Sequence, residues 1–121
     1  MKRLIKHTLL LFLVTVALNS QAALQVVTTT EDLAAIARAI GGAAVDVASL
    51  TPGTRDPHFA EAKPSMIRKV YRADLLILVG ADMEIGWLPP LLQSARNGRV
   101  QPGNAGYLDL SLVVPLLGKM T

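Results

Sequence analysis

His58 is the residue of this chain with the greatest chemical reach, and it sits in a loop built around it, Thr51-Pro52-Gly53-Thr54-Arg55-Asp56-Pro57-His58-Phe59-Ala60-Glu61-Ala62-Lys63-Pro64-Ser65. Pro52, Gly53 and Pro57 stiffen the approach to the imidazole, so backbone geometry sets its position more than side-chain choice does. An imidazole can give a lone pair to a divalent transition metal while carboxylates balance the charge. The carboxylates within reach in sequence are Asp56, Glu61, Asp82 and Glu84. Each also has a plainer use. A lone loop histidine is more often solvated or hydrogen-bonded than ligating. Asp56, just before Pro57, fits a turn-former accepting local backbone hydrogen bonds. Glu61 stands at i+3 from His58, but Pro57 and Pro64 flank the pair and disfavour a long helix, so capping or pairing with Lys63 suits it better. Asp82 and Glu84 fit solvated loop acids, and Trp87 fits a core residue.

Other chemistries find little support. There is no Gly-x-Gly-x-x-Gly or Walker-type phosphate loop, no nucleophile elbow and no cysteine for thiol catalysis. A Ser-His-Asp site would have to join His58 to Ser49 or Ser65 and to Asp56, and nothing in their spacing asks for it.

The elements that must position His58 follow from periodicity. Leu24 to Thr28 is β-branched and apolar, a buried strand, after which Leu33, Ile36, Ala37 and Ile40 recur at helical spacing. Thr29 with Asp32 predicts a capping box for that helix, and Gly41-Gly42 its left-handed stop. Val45 to Leu50 predicts a second strand, ending at the turn signal Thr51-Pro52-Gly53. Pro64-Ser65 opens a second helix with Met66, Ile67 and Val70 on its apolar side. Leu75-Leu76-Ile77-Leu78-Val79 is continuously apolar, as a strand covered on both faces requires. Trp87 to Ala95 predicts a further helix despite Pro89-Pro90, and Tyr107 to Leu112 a short strand or turn. The β-α-β-α-β order predicts an α/β fold, an open parallel sheet flanked by helices, with ligands received at the carboxyl ends of the strands. Three loops leave those ends: Thr28 to Thr30, Thr51 to Lys63, and Gly80 to Gly86.

The first residues speak to compartment. Lys2, Arg3 and Lys6 precede an apolar run, Leu9 to Leu18, and Ser20-Gln21-Ala22 offers small residues for cleavage before Ala23. Residues 1–22 therefore read as a signal peptide, and 23–121 as one exported α/β unit. The apolar run is shorter than the roughly 20 residues a span needs, so the exported part is expected to be soluble. No cysteine follows it to carry a lipid. Of the 12 Lys and Arg, three lie in this leader, while all nine acids lie beyond it, so the remaining 99 residues are formally neutral. A basic surface for nucleic acid is excluded on that count. Without disulfides, stability must come from packed regular elements.

Val26-Val27-Thr28-Thr29-Thr30-Glu31-Asp32-Leu33, Asp56-Pro57-His58-Phe59 with Lys63-Pro64-Ser65, Ala73-Asp74-Leu75-Leu76, and Gly80 before Glu84 and Trp87-Leu88 form an ordered set. Together they resemble the start of a periplasmic zinc/manganese substrate-binding protein of an ABC importer, over the chain up to about Ser111. The resemblance implies two α/β lobes joined by a long helix, with metal held between them by three histidines and a carboxylate. It implies zinc or manganese as transported ligand, a permease in the inner membrane as partner, and no enzymatic activity. His58 matches the first of those histidines; no ligand role is carried over to Glu61 or Lys63. The chain stops before the others would appear, and the tail from Leu112 fits the family poorly, so it reads as an N-terminal lobe: a truncated or frameshifted copy, or a fragment of a longer chain. Such a lobe is expected to bind metal weakly and to leave a face, Trp87 included, prone to association. An exported adhesion or interaction module, and a hydrolase using His58 as base, are the alternatives.

Overall fold

The computed structural model describes Met1 and residues 21–118; the leader read at residues 1–22 lies almost wholly outside the described residues. Four strands form one sheet: β1 (Leu24–Thr28), β2 (Val45–Ser49), β3 (Leu75–Leu78) and β4 (Tyr107–Asp109). Their order is β2-β1-β3-β4 and every pairing is parallel, with Val26 opposite Val47 on one side and opposite Leu75 on the other. The chain thus steps from β1 to β2 in one direction and then crosses back over β1 to β3. Because such crossovers are right-handed, the helices of the two steps fall on opposite faces of the sheet. These are α1 (Glu31–Gly41) and α2 (Pro64–Arg72). A third helix, α3 (Leu88–Ala95), packs against α2. Helices on both faces account for the unbroken apolar run of β3, in which Leu76 and Leu78 are buried. No helix among the described residues is long and apolar enough to cross a membrane.

The core lies on the α2 and α3 side, where Val70, Leu76, Leu91 and Val100 have no exposed surface and belong to one cluster with Val27, Leu50, Met66 and Trp87. Pro89 and Pro90 are tolerated because they fall in the first turn of α3, where the backbone N–H has no helical partner to lose. The α2 terminus is closed from a distance. Asn97 Nδ2 donates to the carbonyls of Val70 at 2.9 Å, Ala73 at 2.7 Å and Tyr71 at 3.2 Å.

The helical spacing of α1 holds, but its packing is unusual and its expected cap is corrected. Its stripe Leu33, Ile36, Ala37 and Ile40 is not a core face: only Ala34 is buried, while Ile36 and Ile40 are 56% and 83% exposed. The helix lies mainly over β2, the outermost strand, so one side of it overhangs the sheet boundary with nothing beneath. Nor is Thr29 the cap. The helix starts at Glu31, and the Thr30 hydroxyl accepts from the Leu33 N–H. Thr29 is fully buried and bonded elsewhere.

Candidate functional site

The loop that carries His58 leaves the carboxyl end of β2, on the side where parallel sheets receive ligands. Its first residues are tied to the sheet: Leu50 N–H donates to the Thr28 carbonyl at 2.8 Å, and Thr51 N–H and hydroxyl both donate to the Thr29 carbonyl, the hydroxyl at 2.6 Å. Beyond that, Pro57–Phe59 forms a single 3-10 turn capped by the Asp56 carboxylate. Asp56 Oδ1 accepts from the His58 backbone N–H at 2.9 Å and contacts the ring Nδ1 at 2.7 Å. A carboxylate can only accept, so in the neutral ring Nδ1 carries the proton and Nε2 keeps the lone pair. The carboxylate therefore orients the imidazole with Nε2 as its donor atom, the arrangement that outer carboxylates impose on metal-binding histidines.

The Asp56 carboxyl is held below its usual range, first by the backbone N–H of His58, then by the ring. Stability from that bond is present above the ordinary aspartate range and is lost as pH falls through the depressed value. Both side chains are 54% exposed. The imidazole is thus presented to solvent by a turn its own neighbour closes.

The turn-former reading of Asp56 holds, and Glu61 lies outside the single turn, so it shares no helical face with His58. A hydrolytic triad is not assembled: Ser49 Oγ donates to the Thr51 carbonyl at 2.7 Å, and among the described residues neither Ser49 nor Ser65 bonds to His58. No group of three or more His, Asp or Glu side chains able to hold a metal occurs among the described residues.

Glu84 corrects its sequence reading most sharply. It is 3% exposed. Oε1 accepts from the Thr29 hydroxyl at 2.6 Å and from the Val79 N–H at 2.8 Å, and Oε2 accepts from the Gly80 N–H at 3.0 Å. The carboxylate spans the ends of β1 and β3, the point at which strand order reverses and where ligands of such sheets usually enter. Here that crevice is bridged from within, since both oxygens of Glu84 accept bonds from Thr29, Val79 or Gly80. The bonds also secure a tight turn. Gly80, Ala81 and Asp82 all have positive φ, at 77°, 51° and 67°, a conformation unfavourable to residues with a Cβ. At Gly80 a Cβ would also overlap the Asp109 carboxylate and the Ser111 hydroxyl.

Trp87 follows this turn. Its ring is 2% exposed and belongs to the core, so it adds nothing to any sticky face. Its indole Nε1 donates to the Pro57 carbonyl at 2.7 Å. Sequence reading caught the burial but not this bond, which joins residues 30 apart and leaves no local signature. A cleft of about 860 Å³ opens on the other side of this turn, lined by Asp82, Glu84, Leu88, Tyr107, Leu112 and Leu117 among others; His58 does not line it. Burial, then the charges of Asp109 and Glu84, pushes the Tyr107 phenol up, which keeps it neutral.

A family described as "Zinc-uptake complex component A periplasmic" matches residues 26–113. The chain is 34% identical over 82 residues to the manganese ABC transporter substrate-binding lipoprotein PsaA of Streptococcus pneumoniae, covering 65% of this chain and 26% of that protein. A crystal structure of ZnuA superposes with a TM-score of 0.58 at 30% identity, over 63% of this chain and 30% of the other. The metal-dependent lipoprotein YcdH of Bacillus subtilis superposes with a TM-score of 0.57 at 30% identity, over 73% and 31%. The chain thus spans about a quarter of the length of the curated relative, and the family match ends at Val113.

Proposed function

The chain belongs to the zinc-uptake complex component A family, and from that premise we propose that it is the N-terminal lobe of a substrate-binding protein delivering zinc or manganese to the membrane permease of an ABC importer. The relatives are transport binding proteins rather than enzymes. The observation that carries the reading is the seating of His58: a solvent-facing imidazole, proton held on Nδ1 by Asp56, on the loop at the carboxyl end of β2. His58 is the metal ligand this lobe contributes, and the metal is cargo. Zinc sites close with four ligands, so the others come from chain beyond these residues.

The test is isothermal titration of residues 23–121 with zinc and with manganese, beside His58→Ala. Weak binding is expected from the parent chain, because one oriented imidazole leaves the coordination sphere open to water. His58→Ala should lower the zinc affinity by roughly tenfold or more, the scale of about 1.4 kcal/mol. Affinity unchanged by His58→Ala removes the ligand assignment, and tight one-to-one binding by the parent removes the idea of an incomplete site.

Residues 1–22 serve as the leader that places this lobe in the periplasm. Cleavage is expected between Ala22 and Ala23, after Ser20-Gln21-Ala22. Mass spectrometry of exported protein should find Ala23 at the amino terminus; an intact Met1 terminus counts against it.

A further inference from the structure

From residue 52 to residue 62 the chain makes only one hydrogen bond to another element among the described residues, the bond from Trp87 Nε1 to the Pro57 carbonyl at 2.7 Å. The other bonds there are internal: Arg55 N–H to Pro52, Phe59 N–H to Asp56, and the two contacts of Asp56 with His58. Internal bonds give the turn its shape and say nothing of where the turn stands on the molecule. That placement falls to the indole and to the packing of Ala60 against the core. The indole is itself firmly placed. Its backbone N–H donates to the Glu84 carbonyl at 3.2 Å, and the Glu84 side chain is locked to Thr29, Val79 and Gly80.

We infer that Trp87 is the positioning residue for His58: a buried indole N–H that fixes the metal-ligand turn to the ends of β1 and β3, so that the imidazole is preset rather than recruited by the metal. The inference rests on the ligand reading of His58 and adds a residue that never touches the metal. A preset ligand is not ordered at the moment of binding, and that saving goes into affinity. The direction of control follows from the chain order. Motion of the turn after β3 would be felt at His58 through Trp87, whose indole bonds the Pro57 carbonyl.

The chain has a single tryptophan, so replacing tryptophan by its benzothienyl isostere, with sulfur in place of the indole N–H, changes position 87 alone and keeps the ring volume. The probes are 15N relaxation of the amides of residues 56 to 60 and zinc titration of residues 23–121, with Trp87→Phe as a second variant and Val100→Ala as a core-destabilised control outside the tether. In the isostere, backbone order parameters in the turn should fall from about 0.85 to below about 0.6, and zinc affinity should fall about tenfold. Val100→Ala should change neither while folded. A turn that stays as rigid without the N–H overturns the inference. A turn that loosens with zinc affinity unchanged overturns the positioning role; if His58→Ala is then also without effect, the ligand assignment fails with it, and if His58→Ala weakens binding, the positioning role alone fails.

Discussion

Glu84→Ala is expected to lower the stability of the lobe by about 4 kcal/mol, because it strands two backbone N–H groups and a hydroxyl in the buried crevice between β1 and β3. Each such group costs about 1 to 3 kcal/mol when its partner is lost, and the three share one partner, so the losses overlap rather than add in full. Against a total of about 5 to 15 kcal/mol for a domain, the variant sits near the edge of folding. The released turn adds to the loss, since Ala81 and Asp82 keep their left-handed backbone only while Glu84 holds the N–H groups just before them. Glu84→Gln should fall between. Its amide has one acceptor oxygen, and its NH2 faces a backbone N–H whichever way it is turned, either Gly80 or Val79. Urea unfolding of both variants, followed by far-ultraviolet circular dichroism, reads the effect, and a thermal midpoint lower by about 15 to 25 °C should accompany the alanine variant. A loss under about 1 kcal/mol for Glu84→Ala would mean that the carboxylate does not hold the crevice, and that water supports the turn instead.

What could be read from the residues was whatever is written locally. Leu75 to Val79 announced a strand covered on both faces, which runs from Leu75 to Leu78, Pro64-Ser65 a helix start, and Asp56-Pro57 a turn before His58. The parallel topology followed from element order, and with it the loop on which His58 stands. The misses share one cause, which is partners distant in sequence. Glu84, in a short polar turn, has the look of a solvated acid, and its burial comes from Thr29, 55 residues upstream. The isoleucines of α1 have helical spacing, but their exposure depends on β2 being the last strand of the sheet, a fact that belongs to the whole topology. Even Thr29 and Thr30, adjacent and alike, divide between crevice and cap according to where Glu84 sits. The one local hint was Gly80 and Asp82, residue types that tolerate a left-handed backbone, on either side of Ala81, which does not.

Asn97→Asp, a change of one atom, should destabilise the lobe by about 3 kcal/mol and at least as much as Asn97→Ala. The amide Nδ2 has two hydrogens and faces the carbonyls of Val70, Ala73 and, more distantly, Tyr71. Val70 and Tyr71 lie in the last turn of α2, where the carbonyls carry the negative end of the helix dipole and that of Val70 has one other partner, the Ala73 N–H at 3.2 Å. An aspartate keeps the bond that Oδ1 accepts from the Arg99 N–H at 3.1 Å, but it turns a donor into a charged acceptor among three carbonyls. Repulsion then replaces attraction, whereas alanine removes the donor and the acceptor of the Arg99 N–H but adds no charge and lets water approach a half-exposed site. A turn-forming role for Asn97-Gly98 makes the opposite prediction, because aspartate forms such turns as readily as asparagine. Urea midpoints of the two variants decide between them, and equal stability of Asn97→Asp and the parent chain removes the closing role. Zinc binding per folded molecule should stay unchanged in both, since α2 leaves the His58 loop at Pro64 and Asn97 acts at the other end of that helix.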